Sequence, residues 1–288
     1  MKTKCILLVS LLCYVLLSCT TKSTESTASW ENLFNGKDLS GWDTYLGPAY
    51  DTILNKHDTL AVPGLNNDPN KVFSVVTIDN TPVIRISGSH NGGISTLQEF
   101  ENYHLKLEFK WGEQKFHPRK DRKRDSGLLY HAVGTHGADG GFWMRSQEFQ
   151  IQEGDCGDYW GVASKMINIP TTGNAPETYV YDPAAALLNF SSASQHGRRC
   201  LKNPDAEKPT GTWNTVEIYC FGDTAVHMIN GVVNMILYRS RQPGDGKEIP
   251  LTKGKIQIQS EGAEVFYRNI QLQSIVKIPN GILNGSNQ

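Results

Sequence analysis

The sequence predicts an all-β fold, a sandwich of two sheets, and local patterning carries the prediction. Many short segments alternate apolar and polar residues with a period of two, the mark of half-buried strands. Frequent glycines punctuate them, 27 in 288 residues. No run of ten or more residues carries a convincing 3.6-residue period, and Pro183 to Leu188 allows one short turn at most. Many strands with few helices must bury their apolar faces on each other, which leads to a two-sheet sandwich.

The strands expected in chain order are Val72 to Ile78, Val83 to Ser87, His104 to Lys110, Gly127 to His131 and Glu148 to Gln152. Trp213 to Phe221, Ala225 to Ile229, Val232 to Leu237, Lys255 to Gln259 and Val265 to Leu272 follow. Asn230-Gly231 between two of these runs is the strongest short-range hairpin signal. Asn168 to Pro209, rich in Pro, Ser, Asn and Gly, reads as a long insertion, a kind of segment that often carries function. No internal repeat or domain-sized linker is visible.

The N-terminus sets the expected compartment. Lys2 and Lys4 precede an apolar run from Ile6 to Leu17, shorter than the roughly 20 residues that span a bilayer. The run has the dimensions of a signal-peptide core. Leu16-Leu17-Ser18-Cys19 resembles the bacterial lipobox, which implies a signal peptide over residues 1–18 and acylation of Cys19. Residues 19–29 form a Ser/Thr-rich tether, 30–276 the working domain and 277–288 a C-terminal tail. Thr20 after the cysteine resembles the sorting pattern for an outer-membrane anchor facing the periplasm, so membrane attachment is expected through lipid only.

Composition narrows the partners. Formal net charge is −1, with no long Lys/Arg block, so no nucleic-acid partner is expected. Lys115 to Arg124 is broken by Pro118, Asp121 and Asp125 and reads as a polar loop. Past Cys19 only Cys156, Cys200 and Cys220 remain, an odd number that allows at most one disulfide. No CxxC or His/Cys cluster suggests structural zinc.

Phe34-Asn35-Gly36-Lys37-Asp38-Leu39-Ser40-Gly41-Trp42 resembles the opening motif of a family described as 3-keto-disaccharide hydrolases, or 3-keto-glucoside 1,2-lyases and related hydratases. The resemblance continues through Ser126 to His131, Glu148 to Gln152, Trp213-Asn214, His227 to Gly231 and Gly254 to Ile270. It spans Trp30 to about Ile275 and implies a concanavalin-like jelly roll, in agreement with the strand pattern. It also implies a small 3-keto-glycoside or oligosaccharide as substrate. A ketone at C3 acidifies the hydrogen on C2; removing that proton lets the aglycone leave C1 by β-elimination, and water can later add to the product. Such chemistry needs a base near C2, a proton donor at the leaving oxygen and a group to stabilise the enolate oxygen. No nicotinamide is required.

Glu148, Gln150 and Gln152 share one face of a strand, with Phe149 and Ile151 on the other. Retaining glycosidases with a similar sandwich carry carboxylates at all three polar positions; two are amides here. Glu148 alone on this strand cannot supply both groups of an ordinary hydrolase, so it is the candidate base, against the alternative of a solvated sheet-face residue. His131, expected to share a face with Gly127 and Leu129, is the second catalytic candidate, although many family members carry Arg there and a strand histidine is commonly structural. Gly127 would allow close approach of a ligand.

Arg124 and Asp125 are candidates for orienting substrate, or form a surface ion pair. Trp143 is placed to stack on a sugar ring and Arg145 to stabilise the enolate, or both belong to an ordinary loop. Lys110, Trp111 and Glu113 end a strand that could line the same cleft. Glu153, Asp155 and Asp158 offer oxygen ligands to a divalent cation, or serve only a turn. No other cofactor is implied. Gln257, Gln259 and Glu261 read as a solvated face, and Trp42 and Trp213 as core. A noncatalytic carbohydrate-binding lipoprotein of a glycan-uptake system is the alternative function, distinguished by whether Glu148, His131 and Arg145 converge in one pocket.

Overall fold

A computed structural model describes residues 29–283; the leader, Cys19 and the tether up to residue 28 lie outside the described residues. Two antiparallel sheets pack face to face in a concanavalin-like jelly roll. One sheet runs in the order Gly64–Leu65, Trp42–Leu46, Gly92–Thr96, Lys253–Ser260, Asp125–Val133, Arg145–Gln152, Tyr159–Val162 and Arg199–Cys200. The centre of the other is formed by Val232–Pro243, Thr224–Ile229, Asn214–Phe221, Tyr103–Lys115 and Ala263–Ser274. The one helix among the described residues is Asn280–Leu283.

Alternation along the strands builds the core. Leu128, Tyr130, Phe149, Ile151, Ile256 and Ile258 point inward from the first sheet and meet Leu105, Leu107, Phe109, Val216, Ile218 and Val265 from the second. Each such side chain contributes about 1.5–3 kcal/mol on full burial. Past the last strand, Ile278 and Ile282 join the same core. Asn230 and Gly231 both take positive φ, as a two-residue hairpin of the primed type demands. The opening motif is a structural turn: the Asn35 side chain accepts the Lys37 and Asp38 amides and donates to Asp38 and Ser40, and the Trp42 indole donates to the Leu33 carbonyl. Cys156, Cys200 and Cys220 are buried free thiols.

Three expectations change. The stretch from Asn168 to Pro209 is woven into both sheets: Met166–Thr172 pairs with Val232–Pro243 and with Leu187–Phe190, and Arg199–Cys200 closes the edge of the first sheet. Gln257 and Gln259 are no solvated face; they are 0% and 1% exposed. His131 does not share the face of Gly127 and Leu129. A register break between Tyr130 and Val133 sets it at φ +51°, a β-bulge that re-aims the side chain. Its ring turns inward against Tyr103 and Tyr130 and is 2% exposed. Burial, offset slightly by the Leu251 backbone, pulls its pKa down to about 4.

Candidate active site

The outer face of the first sheet holds a polar pocket of about 260 Å³, near the lower end of ligand-site sizes and suited to one sugar ring. Its floor follows from strand register. Leu129 stands opposite Glu148 on one side and opposite Gln257 on the other, so the outward residues of three adjacent strands lie side by side. Glu148, Gln150 and Gln152 come from one strand, Asp125 from the next, Gln259 from the third and Glu261 from the turn just past it. Loops bring Arg119, Asp139, Trp143 and Arg198 to the rim, and Trp160 comes from the neighbouring strand Tyr159–Val162, opposite Glu148.

Two glycines make room. A Cβ at Gly127 would sit 2.3 Å from Glu148 Oε1 and 2.4 Å from Gln259 Oε1, so only glycine lets the two side chains cross the sheet there. A Cβ at Gly262, whose φ is +75°, would meet the Arg119 Cβ at 2.9 Å; its absence lets the arginine stem pass over the turn.

Burial shifts the two glutamates of this pocket in the same direction. Glu148 is 6% exposed. Burial first, and the Glu261 charge second, push its pKa well above the usual carboxylate range, against the pull of Arg198 and Arg119. Burial also raises Glu261, to about 7, opposed by the same two arginines. Arg119 Nη1 lies 3.6 Å from Glu261 and its Nη2 pairs with Asp125; Arg198 is 3.5 Å from Asp139 and stacks over Trp160 at 5.1 Å. The Gln150 amide, with its nitrogen towards Glu148, donates to Glu148 Oε1 at 2.9 Å and to the Ser126 carbonyl at 3.0 Å. The Trp143 indole donates to the Gly92 carbonyl. Asp125 Oδ1, Arg119 Nε, Gln259 Oε1 and Trp160 Nε1 are buried without a hydrogen-bond partner among the described residues. Such groups are uncommon and suit a ligand rich in hydroxyls.

The pocket gathers Glu148, Gln150, Asp125 and Trp143, and leaves the other candidates elsewhere. Arg145 is an odd number of positions from Glu148, so it opens away, exposed, into a neighbouring cavity. Arg124 is held by Glu153 at 3.0 Å and by the Gly112 carbonyl, and with Lys110 it lines a separate cleft. Trp213, expected in the core, stacks on the Arg268 guanidinium at 3.9 Å, with the Lys110 ammonium 5.9 Å from its ring. The carboxylates considered for a cation do not fit one: Glu153 is taken by Arg124 and Thr210, Asp155 by Lys123 and Asp158 by Arg199. No group of three potential ligands converges among the described residues.

Glu261, Gln259, Arg119, Arg198, Asp139 and Trp160 were not singled out for this site from sequence. The alternation of Gln257, Gln259 and Glu261 and the composition of the long insertion were the available signals, but neither says which strands are neighbours.

Two candidate glycosyl hydrolases from Parabacteroides distasonis have similar structures. One is 19% identical, with 86% of this chain and 100% of that chain covered and a TM-score of 0.47. The other is 18% identical, with 85% and 94% covered and a TM-score of 0.44. A carbohydrate-binding module from Bacillus subtilis is 7% identical, with 70% and 92% covered and a TM-score of 0.39. None of the curated proteins matches the chain. The 3-keto-alpha-glucoside-1,2-lyase-like domain model matches residues 29–273, and the chain belongs to that carbohydrate-active family.

Proposed function

We propose that the chain cleaves 3-keto-glycosides by β-elimination, with Glu261 as base and Glu148 as acid. The observation that carries this reading is a pair of carboxyls, Glu148 buried and Glu261 half-buried, facing one pocket beside two arginines. Two such groups cannot both ionise cheaply, so one of them keeps its proton. The charge belongs on Glu261, beside Arg119, and the proton on Glu148, which sits deeper. The Glu261 carboxylate takes the C2 proton that the C3 ketone has acidified. The C–H electron pair becomes the C1–C2 double bond as the C1–O bond breaks, and Glu148 protonates the departing oxygen. Aglycone and a 2-hydroxy-3-keto-glucal leave; addition of water to the glucal gives net hydrolysis. Arg119 and Arg198 lie where they can offset enolate charge, and Trp143 and Trp160 supply aromatic walls. The lipobox-like Cys19 supports placing this activity at the outer membrane, facing the periplasm.

A second reading has its own support. Glu148 and Glu261 also provide the two carboxylates that conventional glycoside hydrolysis needs, the second of them in a turn that sequence alone did not connect to the first.

The test uses p-nitrophenyl and methyl 3-keto-α-glucosides with the parent glucosides as controls. Glu261→Gln should lose about 10²–10⁴-fold on both keto substrates. Glu148→Gln should lose as much on the methyl compound and far less on the p-nitrophenyl one, since nitrophenolate departs without a proton. Equal cleavage of the parent glucosides would replace elimination with ordinary hydrolysis. Binding without cleavage of any compound would make the domain a carbohydrate-binding module.

A further inference from the structure

Beside the Glu148 pocket lies a second cavity of about 450 Å³. Asp139 and Arg198 line both, so the two spaces share a wall. The second is strongly cationic: Arg145 and Lys165 join Arg198, and Asp139 is the one carboxylate among its lining residues. Asp139 is engaged by Arg198. Lys165 is 2% exposed, and its Nζ donates to the Gln242 side chain at 2.6 Å. Neither Lys165 nor Arg145 has a carboxylate within ion-pairing distance among the described residues. A buried ammonium without a counter-charge costs stability, and its retention on a cavity wall points to a ligand. Burial and the Arg145 charge pull the Lys165 pKa down to about 8, which still leaves it protonated at neutral pH.

We propose that this cavity is a subsite for an anionic aglycone, holding a carboxylate or sulfate ester between Arg145 and Lys165 while the sugar ring occupies the Glu148 pocket. The inference rests on the assignment of that pocket to the 3-keto sugar. Ser164 and Gln242, on the same walls, add neutral hydrogen-bonding groups for the remaining oxygens. The aglycone oxyanion meets two cations with no opposing carboxylate of their own, and a neutral aglycone leaves both unpaired. Discrimination therefore falls on the leaving group, while proton transfer stays with Glu148 and Glu261.

The test compares the 3-keto-α-glucosides of phenol, of para-hydroxybenzoate and of para-hydroxyphenyl sulfate. They are assayed on the chain and on its Arg145→Gln and Lys165→Met variants. The charged aglycones should show kcat/KM about tenfold above the neutral one, mainly through KM. That ratio should collapse towards one in each variant and shrink with added salt. The carboxylate and sulfate arms identify the preferred oxyanion. Arg145→Gln, at an exposed strand end, keeps the test readable should Lys165→Met fail to fold. If none of the three compounds is cleaved, the elimination reading fails, and calorimetric titration of the same compounds still reads the charge preference. Equal values for neutral and charged compounds, or a preference that survives both variants, would overturn the subsite.

Discussion

Two groups of carboxylates, one in the turn just past the strand Arg145–Gln152 and one in the pocket, behave in opposite ways. In the turn that follows it, every carboxylate has a matched partner. Partial burial pulls the Glu153 pKa up, but hydrogen bonds from Thr210 and from the Arg124 backbone and side chain hold it below the usual range. Both Asp155 oxygens accept from Lys123 at 2.9 Å. Asp158, 1% exposed, is raised by burial yet accepts from Arg199 Nε at 3.0 Å, Arg199 Nη2 at 2.7 Å and the Lys202 amide at 2.9 Å. In the pocket, Glu148 and Glu261 are desolvated, Glu148 faces the Glu261 charge, and both see their arginines only at longer range. The turn uses carboxylates as fasteners; the pocket keeps them short of partners, the condition under which a carboxyl exchanges protons near neutral pH.

Substitution at the pocket should give the largest effect. Glu148→Gln is expected to cut turnover of a 3-keto-glycoside with a poor leaving group by about 10²–10⁴-fold. The same change removes a buried ionisable group, so the melting temperature at pH 8 should rise, the exchange of stability against activity seen at strained sites. Asp155→Asn should leave both measurements near those of the unaltered chain. A loss of activity in Asp155→Asn as large as in Glu148→Gln would erase the distinction between the two groups.

Next in size is stability at the turn. Asp158→Ala removes the acceptor of Arg199 Nε and Nη2 and of the Lys202 amide, leaving the guanidinium only its longer contacts to Glu177 and Asp155. Arg199 is 20% exposed and recovers part of its hydration, so the cost is about 2–4 kcal/mol. At roughly 2–4 °C per kcal/mol for a domain of this size, calorimetry should show a melting point lower by several degrees. An unchanged melting point would mean that this ion pair fastens nothing.

The comparison also marks how far the sequence could be read. Period-two alternation located the strands and put Glu148 and Gln150 on one face, because that inference needs only a single strand. Parity along the same strand already excluded Arg145, three positions from Glu148; taking it as part of a preceding loop hid this. Glu261 was out of reach for another reason. Gln257, Gln259 and Glu261 show the same pattern whether they face solvent or a site, and only the pairing of Leu129 with Glu148 on one side and Gln257 on the other decides. Arg119 and Arg198 arrive from loops nearly 80 residues apart, joined by tertiary contacts alone. His131 misled because a bulge between Tyr130 and Val133 turns a side chain to the opposite face, and no local residue pattern announced it.

The smallest expected effect, on the pH dependence of stability, separates the glutamates from that histidine. Glu148 and Glu261 have folded pKa values above their ordinary 4.5. The native state therefore holds their protons more tightly than the unfolded chain does. Their contribution is complete below pH 4.5 and is lost as pH rises above it, through about 7 for Glu261. His131 and His227 are shifted down from 6.5, to about 4 and about 3, by burial. The unfolded chain takes up protons that the native state refuses, so stability is retained above pH 6.5 and lost as pH falls towards 4. Each side is isolated by one substitution. From pH 5 to 8 the melting point of the unaltered chain should fall relative to Glu148→Gln, by about 2–4 °C for each kcal/mol involved. From pH 6.5 to 4 it should fall relative to His131→Asn, since asparagine tolerates the positive φ, and that variant should keep its activity within about twofold because the ring touches no part of the pocket. Parallel melting curves for Glu148→Gln and the unaltered chain would show Glu148 to be an ordinary hydrated carboxylate, and the contrast between pocket and turn would disappear with it.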